Sequence, residues 1–306
     1  MKDFKSIWLL SFLLLFPSIP SADNKPKILL INSNTSVEKY KVVQEEFKKV
    51  VSHSVLEVNL NEKKWKTPHI EDLIYDEDPD LIYCIGSKAY LIAHRYAPRK
   101  AIIFSSIINW LRLPATKKTY GVSNELHTGM QIMLFRYIFP GVKKIGVLYS
   151  KQYNSQWFNE TRNNAGEMGI EIIGRSVSNK GKHDSALKEL IPDMDAFWLI
   201  SDPVIMSDKR IIFEIFKECD IKKMPVFSYH DVFTKYGAVL IVSVDNQTIG
   251  RQAAGIAMEV LSGYNETEEK VQFPAGSQIT LNLKKVKKYG LQYRKEALDS
   301  INRIIE

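Results

Sequence analysis

The 306-residue sequence contains only two cysteines, Cys84 and Cys219, which lie far apart in separate apolar segments. Lone cysteines in such segments are more typical of unpaired core residues than of a disulfide framework, so we expect no disulfide. Beyond the first thirty residues, the sequence lacks any apolar run near the ~20 residues that a transmembrane helix needs. The net charge of +7 is scattered among acidic residues, and the absence of a basic stretch interleaved with aromatics argues against nucleic-acid binding.

Short catalytic motifs are also scarce. The sequence has no G-x-G-x-x-G, no phosphate-binding loop ending in Gly-Lys-Ser/Thr and no G-x-S-x-G; GVSNE at 121–125 lacks the final glycine. The pairs His230-Asp231 and His183-Asp184 are candidates for a hydrolytic site, although adjacent His-Asp pairs are usually surface or capping residues. The histidines and cysteines show no metal-ligand spacing. We therefore predict a protein that is not an enzyme and that holds no metal and no cofactor.

The N-terminus has the pattern of an export signal. Lys2 and Lys5 precede the apolar run 7–16, which is followed by small residues up to Ala22. A basic start, a short apolar stretch and a small-residue exit predict a secretory signal peptide over residues 1–22. An uncleaved anchor is the alternative. We expect a periplasmic or other extracytoplasmic protein whose mature chain does not span the membrane.

Short apolar runs alternate with amphipathic ones in two successive series. The predicted strands are 27–32, 54–60, 80–86 and 101–106, then 144–150, 170–177, 195–201 and 224–230. The predicted helices are 37–51 and 87–97 in the first series, then 159–168, 183–190 and 209–219 in the second. Apolar runs that barely alternate, separated by helices, indicate a parallel sheet covered on both faces.

The two series can be superimposed. KILLIN at 27 matches KIGVLY at 144, DLIYCI at 80 matches DAFWLI at 195, and AIIFS at 101 matches MPVFS at 224. The offsets of 117, 115 and 123 residues are similar and the order is the same. We therefore predict an α/β fold of two doubly wound parallel-sheet lobes.

Polar residues follow many of these strands, where open parallel sheets bind ligands. The candidate ligand-binding residues are Asn34, Ser87, Ser105, Ser106, Tyr149, Asn154, Ser155, Asp202, Tyr229 and Asp245. Each serine, asparagine or aspartate has an ordinary alternative role as a helix N-cap. Asp202 followed by Pro203, for example, fits a capped helix that starts with proline.

Four segments carry a resemblance to a known family: FPGVKKIGVLYSKQYNS (139–155), NNAGEMGIEI (163–172), 224–263 and ITLNLKKVKKYGL (279–291). They resemble the extracytoplasmic substrate-binding proteins of ABC transporters with the type I periplasmic binding fold, in the branch that includes tryptophan- and tyrosine-binding members. The sequence departs from that pattern at 113–122, LPATKKTYGV, where members commonly carry a glycine-rich stretch.

The resemblance implies a three-crossover hinge between the lobes. We expect residues 26–121 plus 246–280 to form the N-terminal lobe and residues 122–245 plus 281–306 to form the C-terminal lobe. The expected crossings lie near 120–123, 243–246 and 280–282.

The resemblance also implies a function. We expect a monomer that binds an amino acid or related small carboxylate in a cleft between the lobes and delivers it to an ABC permease. Ser87, assisted by Ser105 and Ser106, is then expected to bind an anionic group of the ligand. Asp202 and Asp245 are expected to accept hydrogen bonds from its amine. Tyr229 or Tyr149 is expected to stack on its side chain. A ligand-sensing protein that docks on a signalling receptor, and a hydrolase that uses His230 and Asp231, are the alternatives.

Overall fold

The computed structural model describes residues 27–65, 67–177, 183–263 and 269–306, so the predicted signal peptide lies outside the described residues. Two sheets organise the chain. Strands of the first sheet are β1 (Lys27–Asn32), β2 (Ser54–Asn59), β3 (Leu81–Ile85), β4 (Ala101–Ile107), β5 (Thr119–Ser123) and β11 (Val271–Gln272). Strands of the second are β6 (Lys144–Tyr149), β7 (Glu171–Ser176), β8 (Ala196–Trp198), β9 (Val226–Ser228), β10 (Leu240–Val244), β12 (Ser277–Asn282) and β13 (Arg303–Ile305).

Helices connect these strands. Those of the first lobe are α1 (Glu38–Val50), α2 (Thr67–Glu77), α3 (Ser87–Tyr96) and α9 (Asn246–Leu261). Those of the second are α4 (Thr128–Ile138), α5 (Lys151–Glu167), α6 (His183–Leu190), α7 (Pro203–Met206), α8 (Lys209–Ile221) and α10 (Leu283–Tyr289). Among the described residues, no helix is both long enough and apolar enough to cross a membrane.

Both sheets are mostly parallel. The strand orders are β11-β5-β4-β3-β1-β2 and β13-β12-β10-β9-β8-β6-β7, and β10 with β12 form an antiparallel pair. The predicted α/β fold of two doubly wound lobes is confirmed. In such sheets the carboxyl ends of the parallel strands meet at one edge, and this edge positions the candidate site in each lobe.

Strand β1 shows why the apolar runs barely alternate. Ile28 and Leu30 pack in the core between the first sheet and helices α1 and α9, whereas Leu29 and Ile31 pack on the opposite face, under α2 and α3. All four side chains are at most 1% exposed. A strand covered on both faces needs apolar residues at consecutive positions.

The two lobes repeat one hydrogen-bonding arrangement. The backbone N–H of Lys27 donates to Oδ2 of Asp80 over 2.8 Å, and the N–H of Lys144 donates to Oδ2 of Asp195 over 2.8 Å. In each lobe the aspartate precedes a strand that pairs with the strand starting at the lysine. The sequence matches KILLIN/KIGVLY and DLIYCI/DAFWLI thus correspond to equivalent positions in the two sheets.

The described chain passes between the sheets at three places. The first crossing follows β5. Residues 122–123, which were predicted for the second lobe, therefore pair in the first sheet. The second crossing lies between β10 and α9. The third lies between Gln272 and Ser277, because β12 pairs along its length with β10. Residues 277–280, which were predicted for the first lobe, are therefore in the second sheet, where Ile279 and Leu281 contribute to the core.

Candidate functional site

A carboxylate at the first crossing joins the two lobes. Oε1 of Glu125 accepts the backbone N–H of Asn109, which follows β4 in the first lobe, over 3.1 Å. The same oxygen accepts the hydroxyl of Ser201, which follows β8 in the second lobe, over 3.3 Å. Asn109 also donates its Nδ2 to the carbonyl of Ser201 over 3.0 Å. We call Asn109, Glu125 and Ser201 the hinge bridge.

Local backbone geometry holds the hinge bridge in place. Asn109 has a left-handed backbone (φ 58°, ψ 41°), which asparagine tolerates better than most residues. Ser123 ends β5, and its hydroxyl accepts the N–H of Glu125 over 3.0 Å. Leu126, the next residue, packs in the core of the second lobe. The Glu125 side chain is thus fixed between a strand end of one lobe and the core of the other.

Glu125 is an acid without a bonded cation. Burial raises its pKa, while the hydrogen bonds from Asn109 and Ser201 and the charge of Arg112 act in the opposite direction. The Arg112 guanidinium lies over the ring of Tyr153 in the second lobe, 4.1 Å from its centroid. Within the described residues, Glu125 forms no ion pair, and only its Oε1 accepts hydrogen bonds. A carboxylate oxygen is therefore available at the hinge.

Two basic residues from different lobes, Lys39 and His230, interact through the charge of Lys39. Lys39, near the start of α1, is partly buried, and burial lowers its pKa. Burial lowers the pKa of His230, which follows β9 in the second lobe; the charge of Lys39 lowers it further, whereas Asp231 opposes the shift. Lys39 makes no ion pair in the part of the chain that the structure describes. The charge of Lys39 in the first lobe thus reaches His230 in the second and favours its neutral form.

Tyr229 lies beside His230 and is affected by the charge of Glu125. Its ring centroid is 6.4 Å from that of His230, and 5.5 Å from that of Phe233. Burial, followed by the negative charge of Glu125, raises the pKa of Tyr229 to about 12. This predicted site residue therefore contacts the site as a neutral aromatic group.

Two predicted residues follow strands of the first lobe, Asn34 after β1 and Ser87 after β3. Helix α3 begins at Ser87 after Gly86, whose φ of 85° suits glycine, and a Cβ there would lie 2.7 Å from Oγ of Ser33. Ser87 is exposed, and its hydroxyl makes no hydrogen bond with the described part of the chain. Oδ1 of Asn34 accepts the N–H of Ser36 over 2.9 Å, so it stabilises its own loop.

Two neighbouring serines at the end of β4 differ in environment. The Ser105 hydroxyl is fully buried, 2.7 Å from the hydroxyl of Tyr83 in the core. Ser106 has a φ of 58° at a break in the strand register. Its buried hydroxyl has no partner among the described residues. The prediction of ligand binding thus fits Ser106 better than Ser105.

Asp202, predicted to accept an amine, is fully occupied by protein groups. Oδ2 accepts the N–H and the hydroxyl of Ser150, both over 2.7 Å, and Nδ2 of Asn154 over 2.6 Å. Oδ1 accepts the N–H groups of Val204 and Ile205 over 2.9 and 3.2 Å. The side chain is 0% exposed. Asp202 caps α7 and ties it to α5, and no oxygen is left for a ligand in this arrangement.

Three further predicted residues are also engaged elsewhere. The Ser155 hydroxyl donates to the carbonyl of Lys151 within α5 over 2.6 Å. Tyr149 stacks on Phe158 at 4.3 Å and lines a groove of 760 Å³ along β7, rather than the hinge. Asp245 caps α9; burial pushes its pKa up, but hydrogen bonds, chiefly from Thr248, hold the pKa below its usual value.

The hydrolytic candidates have structural roles or lie outside the description. Nδ1 of His230 accepts the N–H of Val232 over 3.1 Å, so the ring caps the turn at 231–236. The side chains of His183 and Asp184 are outside the described part of the structure.

Asn109, Glu125 and Lys39 were not among the candidate residues predicted from the sequence. Glu125 had a usable signal, because it stands two residues after the end of β5, next to the first crossing. Ser201 ends the predicted strand 195–201 but was not among the candidate ligand-binding residues.

Residues 28–304 match the model of a family described as ABC transporter substrate binding protein. The chain is 23% identical over 247 residues to the tyrosine-binding protein of Clostridioides difficile (strain R20291), covering 78% of this chain and 70% of that protein. Its fold resembles that of an ABC domain in complex with L-Trp from Streptococcus pneumonia, with a TM-score of 0.61 and 17% identity over 92% of this chain and 100% of that one. It also resembles the ligand-free, open structure of a substrate binding protein with adhesive properties from Clostridium difficile, with a TM-score of 0.70 and 16% identity over 92% and 99% of the chains.

Proposed function

Because the chain belongs to the ABC transporter substrate-binding protein family, we propose that it captures a free amino acid between its lobes and delivers it to an ABC permease. Capture takes place outside the cytoplasmic membrane and makes or breaks no covalent bond. Closing of the lobes excludes water, and the ligand stabilises the closed arrangement by its higher affinity for it.

The observation that carries this proposal is a pair of opposite charges, the carboxylate of Glu125 at the hinge and the ammonium of Lys39 near the start of α1. Glu125 offers a carboxylate oxygen, and Lys39 of the first lobe supplies a positive charge that acts on His230 of the second. A free amino acid carries an ammonium and a carboxylate on one carbon, and so complements both. Sugars and nucleosides lack this charge pair.

The side chain of the proposed ligand is aromatic. A relative is named a tyrosine-binding protein, and a protein of similar fold was solved in complex with L-Trp. Tyr229, next to Glu125, offers a ring on which a tyrosine or tryptophan side chain packs favourably. L-tyrosine and L-tryptophan are therefore the leading ligands.

A binding screen tests the proposal. The mature protein is unfolded, dialysed and refolded to remove co-purified ligand, then screened by thermal shift and calorimetry against amino acids, small carboxylates, sugars and nucleosides. A ligand at a hundred times its Kd stabilises the folded state by about 2.7 kcal/mol. We expect the aromatic L-amino acids to give the largest shift. No shift with any amino acid, or a larger shift with a sugar, would contradict the proposal.

A further inference from the structure

We propose that Oε2 of Glu125 binds the ammonium group of the ligand, and that Glu125 thereby couples ligand capture to closure of the lobes. This inference rests on the proposed function, since it names the residue that selects an amine within the same site.

The first step is the hydrogen-bonding state of the carboxylate. Oε1 of Glu125 already accepts two hydrogen bonds, whereas Oε2 has no partner within the described residues. A partly buried carboxylate without a counter-ion is unfavourable, and a charge-assisted hydrogen bond from an ammonium relieves that cost. The nearby Arg112 does not bond to it, because its guanidinium lies over Tyr153.

The second step is the position of Glu125 between the lobes. Asn109 belongs to the first lobe and Ser201 to the second, and both donate to the same oxygen. Separation of the lobes breaks at least one of these bonds. A ligand held on Oε2 therefore binds most tightly when the hinge bridge is intact, and this differential affinity favours closure.

The third step is the orientation of the ligand. The positive charge of Lys39, which acts on His230, repels an ammonium and attracts a carboxylate, while the charge of Glu125 does the reverse. The two other acids predicted to bind an amine do not compete. Both oxygens of Asp202 are occupied, and Asp245 is bonded to its own helix.

The test compares ligands with and without the amine. Calorimetric or competition binding measures the affinities of L-tyrosine and 3-(4-hydroxyphenyl)propionate, and of L-tryptophan and indole-3-propionate, for the wild-type protein, Glu125→Gln and Glu71→Gln. Glutamine still accepts hydrogen bonds at Oε1, so the hinge bridge can form. Glu71, exposed on α2, provides the matched control for losing one carboxylate.

We expect the amine to improve wild-type affinity by about 10- to 100-fold. In Glu125→Gln, the ratio of the affinities for the ligands with and without the amine should fall toward one, because the amino acid binds more weakly. In Glu71→Gln, this ratio should stay as in the wild-type protein. An unchanged advantage in Glu125→Gln would overturn the inference, and so would equal weakening of both ligands, which is the signature of a purely structural hinge residue. If the wild-type protein binds no amino acid in the preceding screen, it is the proposed function that fails.

Discussion

The hydroxyl of Ser201, in the second lobe, lies 3.3 Å from Oε1 of Glu125 at the first crossing and donates to it. The same oxygen accepts the backbone N–H of Asn109 from the first lobe. One carboxylate oxygen thus joins both lobes, while the other is free of protein partners among the described residues. This division suits a residue that senses both ligand and lobe position.

Replacing Asn109 by glycine should weaken ligand binding without straining the backbone. Glycine adopts the left-handed conformation at no steric cost, so the variant loses mainly the bond from Nδ2 to the Ser201 carbonyl. A loss of about 1 kcal/mol from the closed state should reduce affinity about fivefold by calorimetry. Lys223→Gly is the matched control, because this exposed residue also has a positive φ, of 52°. Equal affinities in the two variants would contradict a role for the hinge bridge in closure.

Glu125→Gln should make the ligand-free protein more stable at neutral pH, although it impairs binding. Because burial raises the pKa of Glu125, the folded chain holds that proton more tightly than the unfolded chain. The free energy of unfolding then falls as pH rises from the unfolded pKa through the folded pKa. The glutamine variant has no carboxylate to ionise, so its free energy of unfolding does not fall in this way. The difference in stability between the variant and the wild-type protein should therefore shrink as the pH falls through the same range.

Urea unfolding of both proteins across the acidic range measures this difference. The neighbouring Arg112, Tyr229 and His230 are present in both proteins, so their titrations largely cancel in the comparison. If the Glu125→Gln variant were less stable than the wild-type protein at neutral pH, burial of the charged carboxylate would not lower the free energy of unfolding, which would contradict this prediction.

Asp202→Ala should destabilise the second lobe strongly. The change removes the cap of α7 and leaves the buried donors of Ser150 and the partly buried amide of Asn154 without their acceptor. Loss of a cap costs about 1 kcal/mol, and buried unsatisfied donors add about 1–3 kcal/mol each. We expect the free energy of unfolding to fall by about 3 kcal/mol in urea titrations. The exposed Asp299→Ala should change it by less than about 0.5 kcal/mol, and similar effects in both variants would show that Asp202 is not a structural anchor.

The two cysteines should be inert in the native protein. Burial raises the pKa of Cys84 and raises that of Cys219 to about 12, and the thiolate is the reactive form. Both are buried, in β3 and α8 of different lobes, and both are free. A thiol reagent such as Ellman's should label neither without denaturant and both in urea. Rapid labelling of the native protein would contradict the buried placement.

The fold could be predicted from the sequence because the apolar patterns that indicate its strands are local and occur twice. The lysine and aspartate that start the matched strands, Lys27 with Asp80 and Lys144 with Asp195, make equivalent bonds in both lobes. Helices α2 and α4 were not predicted, and β12 was partly given to the wrong sheet, because sheet membership depends on contacts distant in sequence.

The site was harder to predict because a strand end does not fix where a side chain points. Ser105 and Ser106 are adjacent, yet one bonds within the core and the other sits at an irregularity that no local pattern reveals. Asn109 and Ser201 are 92 positions apart and meet only through the packing of the lobes. Glu125 acquires its role from that meeting.

A crystal structure of the refolded protein with L-tyrosine tests the central claim most directly, because it locates the ammonium group. The account predicts that this nitrogen lies about 2.8 Å from Oε2 of Glu125. It also predicts that the hinge bridge is intact and that the ligand carboxylate points toward Lys39 and His230. An ammonium bound to another acid, or L-tyrosine bound away from the hinge in the groove along β7, would contradict it.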